Sequence, residues 1–285
     1  MKRAPRRAMM TPLAAVLAIV CVVFAVAMPA QRGAPSLVAP VTIAHRGDGS
    51  APENSVRAIE QAGLRGADYA EIDVRLTRDG VPVVFHDRRT GRLAADGRDR
   101  LVSATNHRAL SRMRMSADGR GYHVPTLAQA IAAASRVPGG KFGLLLDLKT
   151  DNRHAPRVAR TVVREIDRAG FAGWTMLMSS NQHALDMVRH LRPDWTVGRF
   201  CRDLPTAAQG IAASVDFIVV RQRWIVRPLT AEAHRRGVAV FAGAIREPDE
   251  QRRCLRLGVD GVMGGDAQAM RRVTDEYQNA SGARA

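Results

Sequence analysis

The sequence of 285 residues has few cysteines, few aromatic side chains and, after its first 30 residues, only two lysines. The cysteines beyond that point are Cys201 and Cys254, and two isolated cysteines do not make a metal site. In an oxidising compartment the two could form a disulfide, but we favour two free, buried thiols. Aromatic residues make up 5% of the chain and no nucleic-acid-binding motif occurs, so nucleic acid is not an expected partner. Apart from one run near the N-terminus, no segment is apolar enough to span a bilayer.

The first 30 residues have the pattern of a targeting segment. Residues 12–27 are almost wholly apolar, residues 25–27 offer a small-residue cleavage site, and four cations precede the run (Lys2, Arg3, Arg6 and Arg7). We predict a signal peptide or an N-terminal membrane anchor over residues 1–30 and a linker over residues 31–40. Either form predicts an exported protein that is periplasmic, extracellular or anchored in a membrane and facing outside.

Arginine supplies nearly all of the positive charge, and the formal net charge is +16. One explanation is an arginine-rich composition on a solvated surface. The other is attraction to an anionic membrane surface or to a phosphate-rich envelope polymer. The sequence leaves these two explanations open.

Residues 41–270 alternate between short apolar strands and amphipathic helices. Without a hairpin arm at 81–86, eight parallel strands are expected (41–44, 69–74, 143–148, 176–179, 196–198, 217–220, 238–242 and 261–263). A length of about 250 residues and strand-then-helix repetition are typical of a (β/α)8 TIM barrel. We predict this α/β fold, as a monomer, with a β-hairpin and a loop insertion after strand two and a C-terminal tail over residues 271–285.

The insertion continues from the hairpin through residues 88–123, which are polar and irregular apart from a short helical segment near residues 105–113. We predict a loop over the mouth of the barrel, because long loops in compact domains are usually functional or mobile. Its histidines, His107 and His123, either contact substrate or are solvated, and solvation is the commoner state of a loop histidine.

The hairpin brings acidic and basic groups together. Two alternating segments flank Asp79-Gly80, and this dipeptide favours a two-residue type I′ turn. That turn would place Asp73 directly opposite His86, with Glu71 on the same face. Two acids and a histidine on one face indicate a divalent cation or a proton-transfer site. A solvated polar face on an edge hairpin is the alternative.

Other polar residues stand at strand ends. His45 and Arg46 follow the first apolar strand, and Asp147 and Lys149 close another, LLLDLK. The carboxyl ends of the strands carry the chemistry in a parallel barrel, and a buried charged pair is costly unless it is used. A salt bridge under the barrel rim is the alternative for Asp147 and Lys149.

Five short motifs in one order and spacing resemble the glycerophosphodiester phosphodiesterase family. They are His45-Arg46-Gly47, Pro52-Glu53-Asn54-Ser55, Glu71-Ile72-Asp73, Thr77-Arg78-Asp79-Gly80 and His86-Asp87. The resemblance implies a divalent metal, Mg²⁺ or Ca²⁺, on three acids (Glu71, Asp73 and Asp147). It also implies phosphate binding by Arg46 and Lys149, acid–base catalysis by His45 and His86, and a supporting role for Glu53.

The C-terminal half departs from the family pattern. The family's Glu-x-Lys has Asp147 as its acid, and its Trp-Thr-x-Asn strand becomes Phe-Ala-Gly-Ala-Ile at 241–245. These changes leave three hypotheses. The first is metal-dependent hydrolysis of glycerophosphodiesters to glycerol 3-phosphate and an alcohol. The second is phospholipase D-type cleavage of a lysophospholipid, a sphingolipid or a glycerol-phosphate envelope polymer, and the third is a non-catalytic binding protein.

Overall fold

The computed structural model describes residues 39–213 and 215–282. The leader predicted over residues 1–30 and the linker up to residue 38 lie outside the described residues. The strands of the described part are β1 (Val41–His45), β2 (Tyr69–Leu76), β3 (Pro82–Val84), β4 (Met115–Ala117), β5 (Arg120–Tyr122), β6 (Gly143–Leu148), β7 (Thr175–Ser179), β8 (Val197–Cys201), β9 (Phe217–Arg221), β10 (Ala239–Ile245) and β11 (Gly261–Gly264). The helices are α1 (Val56–Leu64), α2 (His107–Leu110), α3 (Leu127–Ser135), α4 (Ala155–Ala169), α5 (Gln182–Leu191), α6 (Leu204–Ala212), α7 (Arg227–Arg235), α8 (Pro248–Arg256) and α9 (Ala267–Gly282).

Eight of these strands form a closed parallel barrel. Their order is β1, β2, β6, β7, β8, β9, β10 and β11, and β11 pairs back onto β1. A helix follows each barrel strand in the chain. The predicted (β/α)8 fold is therefore confirmed. The loops after the carboxyl ends of the strands form one face of the barrel, which we call the mouth.

Alternation along the strands separates two buried layers. Inward side chains fill the barrel interior, where the rings of Phe217 and Phe241 stack with their centroids 4.9 Å apart. Outward side chains such as Leu146 and Val240 pack in the larger cluster with the helices. Burial of each large apolar side chain contributes roughly 1.5–3 kcal/mol to folding. The apolar interior thus forms a stable floor beneath the polar groups of the mouth.

The hairpin of β2 and β3 has a different register from the predicted one. Val74 pairs with Val84 because the loop contains three residues, 78–80, instead of two. Thr77 closes this loop: its backbone N–H donates to the carbonyl of Val81 over 3.1 Å, and its Oγ1 accepts from the Val81 N–H over 3.0 Å. Gly80 ends the loop with a φ of +84°, a conformation that glycine adopts readily.

The shifted register changes the partner of Asp73. The backbone N–H of Phe85 donates to the Asp73 carbonyl over 2.9 Å, so the predicted pairing of Asp73 with His86 is wrong. His86 lies just beyond the strand. There the guanidinium of Arg75 donates to the His86 carbonyl from Nε (3.0 Å) and Nη2 (2.7 Å). A loop held by this arginine therefore positions the histidine.

The insertion contains the short helix predicted near residues 105–113 and has more secondary structure elsewhere than predicted. It contains the hairpin of β4 and β5, the short helix α2 and a small apolar core of its own, whose buried members include Phe85, Leu110 and Met115. The His107 backbone N–H donates to Asp79 Oδ1 over 2.9 Å, and His123 Nδ1 lies 3.1 Å from the Met113 carbonyl. Both contacts lie within the hairpin and the insertion.

The last helix continues the barrel past the predicted domain boundary. Helix α9 runs unbroken through residue 270, and both Val273 and Thr274 are buried. The side chain of Gln251 donates to the Met270 carbonyl over 2.7 Å. The residues predicted as a tail are therefore, up to Gly282, part of the last helix of the barrel. The apolar face of this helix covers the sheet.

Cys201 and Cys254 are buried and free, as predicted. No helix in the described part of the chain has the length and apolar character needed to cross a membrane.

Candidate active site

Three carboxylates converge at the mouth. Glu71 and Asp73 are two residues apart on β2, and Asp147 is paired in register with Asp73 on the neighbouring strand β6. All three therefore project from the same, inward face of the sheet. Their nearest oxygen atoms lie within 4.8 Å of one another, and no residue of the three is more than 4% exposed.

The cluster carries more negative charge than its surroundings neutralise. The Lys149 ammonium lies 3.0 Å from Asp73 Oδ1 and also forms an ion pair with Asp147. Burial, followed by repulsion from Asp73 and Asp147, raises the pKa of Glu71 well above its ordinary value. Burial also raises the pKa of Asp147, although Lys149 opposes the shift. Buried, closely spaced carboxylate oxygens with excess negative charge suit a hard divalent cation, so these residues could hold such an ion.

A strained turn after β1 delivers the first motif to the cluster. Arg46 has a φ of +58°, and its backbone N–H donates to Glu71 Oε2 over 2.9 Å. The next residue, Gly47, has a φ of +79°, and a Cβ at this position would lie 2.6 Å from Ala58. A left-handed non-glycine residue costs about 1–3 kcal/mol and persists where its surroundings impose it. Here the strain directs the Arg46 side chain toward the carboxylates.

Asn54 orients Asp73 and was not singled out from the sequence. Its Nδ2 donates to Asp73 Oδ2 over 2.8 Å, and its Oδ1 accepts from the Asp73 backbone N–H over 3.0 Å. Asn54 is buried and has a φ of +58°, a region that asparagine tolerates better than most residues. Its place before the helix cap Ser55 was the available signal, but only the fold shows what the amide contacts.

His45 lies beside the carboxylates at the end of β1. Its Nε2 is 3.9 Å from Glu71 Oε2, and its side chain is 37% exposed. Desolvation, followed by the positive charge of Arg46, lowers the pKa of His45 to about 4. The imidazole is therefore neutral at pH 7 and able to accept a proton.

His86 is connected to Arg46 through a chain of ionic contacts around the rim. His86 Nδ1 lies 2.6 Å from Asp87 Oδ1, and Arg92 donates from Nε to Asp87 Oδ2 over 2.6 Å. Arg92 also donates to both oxygens of Glu53, and Arg46 Nη1 donates to Glu53 Oε1 over 3.0 Å. Hydrogen bonds from Arg92 and the charge of Arg46 lower the pKa of Glu53 against the effect of burial. Glu53 thus bridges the two arginines.

The predicted site residues fall into two groups by their contacts. One set meets directly at the cluster (His45, Arg46, Glu71, Asp73, Asp147 and Lys149). The other set, Glu53 and His86, lies at the rim of the mouth. Glu53 contacts Arg46, and the charge of a protonated His86 would help to lower the pKa of Asp73. His107 and His123 make their hydrogen bonds within the hairpin and insertion.

The sequence and the fold have counterparts among known proteins. The model of the glycerophosphoryl diester phosphodiesterase family matches residues 45–268. A glycerophosphodiester phosphodiesterase from Caldanaerobacter subterraneus is 24% identical over 236 residues, which cover 81% of this chain and 96% of that protein.

Solved structures agree with this match. A phosphodiesterase from Oleispira antarctica, solved in complex with the product sn-glycerol-3-phosphate, is similar with a TM-score of 0.75 and 27% identity, covering 84% of this chain and 98% of that one. A glycerophosphodiester phosphodiesterase from Parabacteroides distasonis has a TM-score of 0.69 at 23% identity, covering 86% and 98%. The latter supports the fold alone.

Proposed function

The chain belongs to the glycerophosphoryl diester phosphodiesterase family, and from that premise we propose that it releases sn-glycerol 3-phosphate and an alcohol by acid–base catalysis with two histidines. The observation that carries the proposal is the convergence of three buried carboxylates with Lys149 and His45. Relatives along nearly the whole barrel are glycerophosphodiester phosphodiesterases, so the protein is an enzyme of this class. A non-catalytic role for the barrel is therefore set aside.

Glu71, Asp73 and Asp147 would hold the divalent ion, Mg²⁺ or Ca²⁺, which when bound supplies Lewis-acid charge to a phosphate oxygen. Arg46 binds another oxygen of the diester. Its Nε is buried, lies 3.6 Å from Asp73 Oδ2 and has no hydrogen-bond partner among the described residues. Lys149 supplies a point charge beside the same oxygens. Together these groups fix the scissile phosphate at the acidic side of the mouth.

The two histidines have different surroundings, and these suggest their roles. His45 is neutral at pH 7 because its pKa is about 4, so it takes the proton from the attacking hydroxyl of water or of the substrate. His86 Nδ1 lies against the Asp87 carboxylate, so that contact holds one ring nitrogen and leaves Nε2 as the nitrogen that exchanges a proton with the substrate. His86 therefore donates the proton that the leaving alcohol needs. Glu53 positions Arg46 and does not itself transfer a proton.

The test is hydrolysis of glycerophosphocholine by residues 31–285, measured with Mg²⁺, with Ca²⁺ and with chelator. The expected result is release of glycerol 3-phosphate that stops when the metal is removed. Asp147→Ala should weaken metal binding, whereas Asp151→Ala, an exposed acid on the following loop, should leave it unchanged. Hydrolysis that persists in chelator, or equal metal affinity in both variants, contradicts the proposal.

The sequence also supports a proposal about location. We infer that the protein is exported and that residues 1–30 are its leader, because a basic segment precedes a single apolar run. The test is N-terminal sequencing of the protein recovered from the cell envelope and the medium. A chain that begins near residue 28 or 31 supports cleavage, and an intact N-terminus in the membrane fraction supports an anchor. Recovery in the cytosol refutes the inference.

A second candidate substrate is a glycerol-phosphate polymer of the cell envelope. The net charge of +16, or +12 without the four cations of the leader (16 − 4), favours an anionic substrate of this kind over a zwitterionic lysolipid. Cleavage of such a polymer would use the same groups, because the scissile bond is again a phosphodiester. Release of glycerol 3-phosphate from the polymer, compared with release from lysophosphatidylcholine under the same conditions, distinguishes the two.

A further inference from the structure

The half of the mouth that faces the carboxylates has no assigned role. In a closed barrel of eight strands, each strand lies across from the fourth strand along, so β8, β9 and β10 face β1, β2 and β6. Each of the three opposing strands ends at or just before an arginine. Arg202 follows β8, Arg221 ends β9 and Arg246 follows β10. We call these three residues the arginine arc.

The alternation of β8 and β9 directs two of these side chains to the mouth. Phe200 and Val219 pack with the barrel interior, and Arg202 and Arg221 come two residues after them. Residues two apart along a strand share a face. Both arginines therefore stand above the interior, on the opposite side of the mouth from Asp73.

The third arginine reaches the mouth through a bulge in β10. The pairing with β11 shifts between Ala242 and Ile245, and Ala244 has a φ of +59°. Both Ala242 and Ile245 pack outward with the helices, although without the bulge residues three apart would face opposite sides. Arg246 therefore follows on the inward side. The bulge thus adds a third cation to the same wall, because bulges re-aim the side chains that follow them.

The arc has little compensating charge. All three arginines are exposed, and in the described residues none forms an ion pair or a side-chain hydrogen bond. Among acids next to them in the chain, Asp203 is engaged with Thr206 at the start of α6, and Glu247 caps α8. Glu250 accepts from Gln222 Nε2 over 2.9 Å. The other oxygen of Glu250 accepts from the backbone N–H of Arg246 over 2.9 Å, and the charge of Arg202 helps to lower the pKa of Asp203 after the hydrogen bonds from Thr206. The arginine guanidinium groups themselves have no hydrogen-bonded acid among the described residues.

We propose that the arginine arc binds a second anionic group of the substrate, so that the preferred substrates are phosphodiesters that carry a further phosphate. This inference rests on the proposed function, since the scissile phosphate must lie at the carboxylate cluster for the rest of the substrate to extend across the mouth. One guanidinium group can donate two parallel hydrogen bonds to the oxygens of one phosphate. A chain of glycerol-phosphate units has the required repetition of charge.

The apolar surface favours this partner over a lipid bilayer. The exposed large apolar side chains in the described ranges are Leu64, Trp174 and Val226. Leu64 ends α1 and Trp174 precedes β7, so both lie at the barrel face opposite the mouth. Only Val226, between β9 and α7, adjoins the arc. Insertion into a bilayer requires buried apolar area as well as charge.

The test compares two substrates that differ by one phosphate. One is glycerophosphoglycerol, and the other is the same diester with a phosphate monoester on its alcohol side. The wild-type protein should prefer the second in kcat/KM at low salt. An exposed charge pair contributes about 0.2–1 kcal/mol, so each change to glutamine (R202Q, R221Q, R246Q) should lower that preference about threefold, and the triple variant about thirtyfold. Activity on glycerophosphoglycerol should not change.

Arg164→Gln is the matched control, because Arg164 is exposed on the outer face of α4 and forms no ion pair in the described part of the chain. It should keep the wild-type preference. Equal losses on both substrates, or no preference in the wild type, overturn the inference while the proposed function stands. Loss of binding to phosphatidylglycerol vesicles by the triple variant without a change in preference would assign the arc to a membrane surface.

Equilibrium binding of the phosphate-bearing diester, measured in chelator, separates this inference from the catalytic proposal. If the protein hydrolyses neither substrate, the proposed function fails. About thirtyfold weaker binding in the triple variant than in Arg164→Gln still supports the arc, and equal binding refutes it.

Discussion

The two halves of the barrel mouth hold their charged groups in opposite ways. On β1, β2 and β6 the ionic groups are buried and interlocked, and Asp73 alone contacts Asn54, Arg46 and Lys149. At the ends of β8, β9 and β10 the three residues of the arginine arc are exposed, and the described residues give them no ion-pair partners. One half is built around groups that constrain one another, and the other presents charge to solvent.

This difference indicates that the first half carries out the reaction and that the second half selects the substrate. Removal of one member of a buried ionic set leaves its partners uncompensated and is strongly destabilising, whereas an exposed pair contributes little and is screened by salt. We therefore expect changes in the first half to act on turnover and metal affinity. Changes in the second should act on the choice between substrates.

The largest effect is expected for His45→Ala. Removal of a general base lowers turnover by roughly 10²–10⁴-fold, while the three carboxylates stay in place and keep their metal affinity. Steady-state kinetics and calorimetric titration with Mg²⁺ measure the two quantities. Loss of metal binding together with activity would make His45 a structural part of the cluster, and retained turnover would remove it from catalysis.

Asn54→Ala should have the next largest effect. Groups that orient a metal ligand typically change metal affinity or activity by about 10–100-fold when they are removed, and Asn54 holds Asp73 at two points. Asn54→Gly is the matched control for the backbone, because glycine accepts the φ of +58°. Equal defects in both variants would assign the loss to the amide. A defect in the alanine variant alone would assign it to the strained backbone.

The pH profile tests the electrostatics of the same half. Because the pKa of His45 is lowered to about 4, the imidazole is neutral above that pH and becomes protonated as the pH falls through it. The acid limb of kcat/KM should therefore lie near pH 4, with a roughly tenfold loss for each further unit. NMR titration of the His45 ring identifies the group. An acid limb near pH 6.5 would contradict the assignment.

The buried half was largely predictable from the sequence, and the error in the predicted hairpin register has a physical reason. Alternation located the barrel strands, and the motifs located Glu71, Asp73 and Asp147 on two of them. The hairpin register was wrong because a dipeptide such as Asp79-Gly80 fits both a two-residue and a three-residue loop. The Thr77 side chain that decides between them acts through a hydrogen bond.

The exposed half was less predictable. Its departure from the family pattern was visible at 241–245, but strict alternation puts Arg246 on the outward side. The bulge at Ala244 turns Arg246 to the inward side. No residue type in the segment predicts a bulge, because alanine rarely has a positive φ. Asn54 was missed for a related reason, because its function depends on a backbone conformation and on a partner 19 residues away.

The smallest effect is expected for Ala244→Gly. A left-handed alanine costs about 1–2 kcal/mol, and glycine removes that strain but raises the entropy of the unfolded chain by roughly 0.4–1 kcal/mol. The free energy of unfolding should therefore rise by about 0.5 kcal/mol, as measured by urea denaturation, with metal affinity and turnover unchanged. Retained preference for the phosphate-bearing diester would mean that the strand pairing, and not the alanine, sets the bulge. A loss of turnover would mean that the two halves of the mouth are coupled, and the separation of chemistry from selectivity would then be wrong.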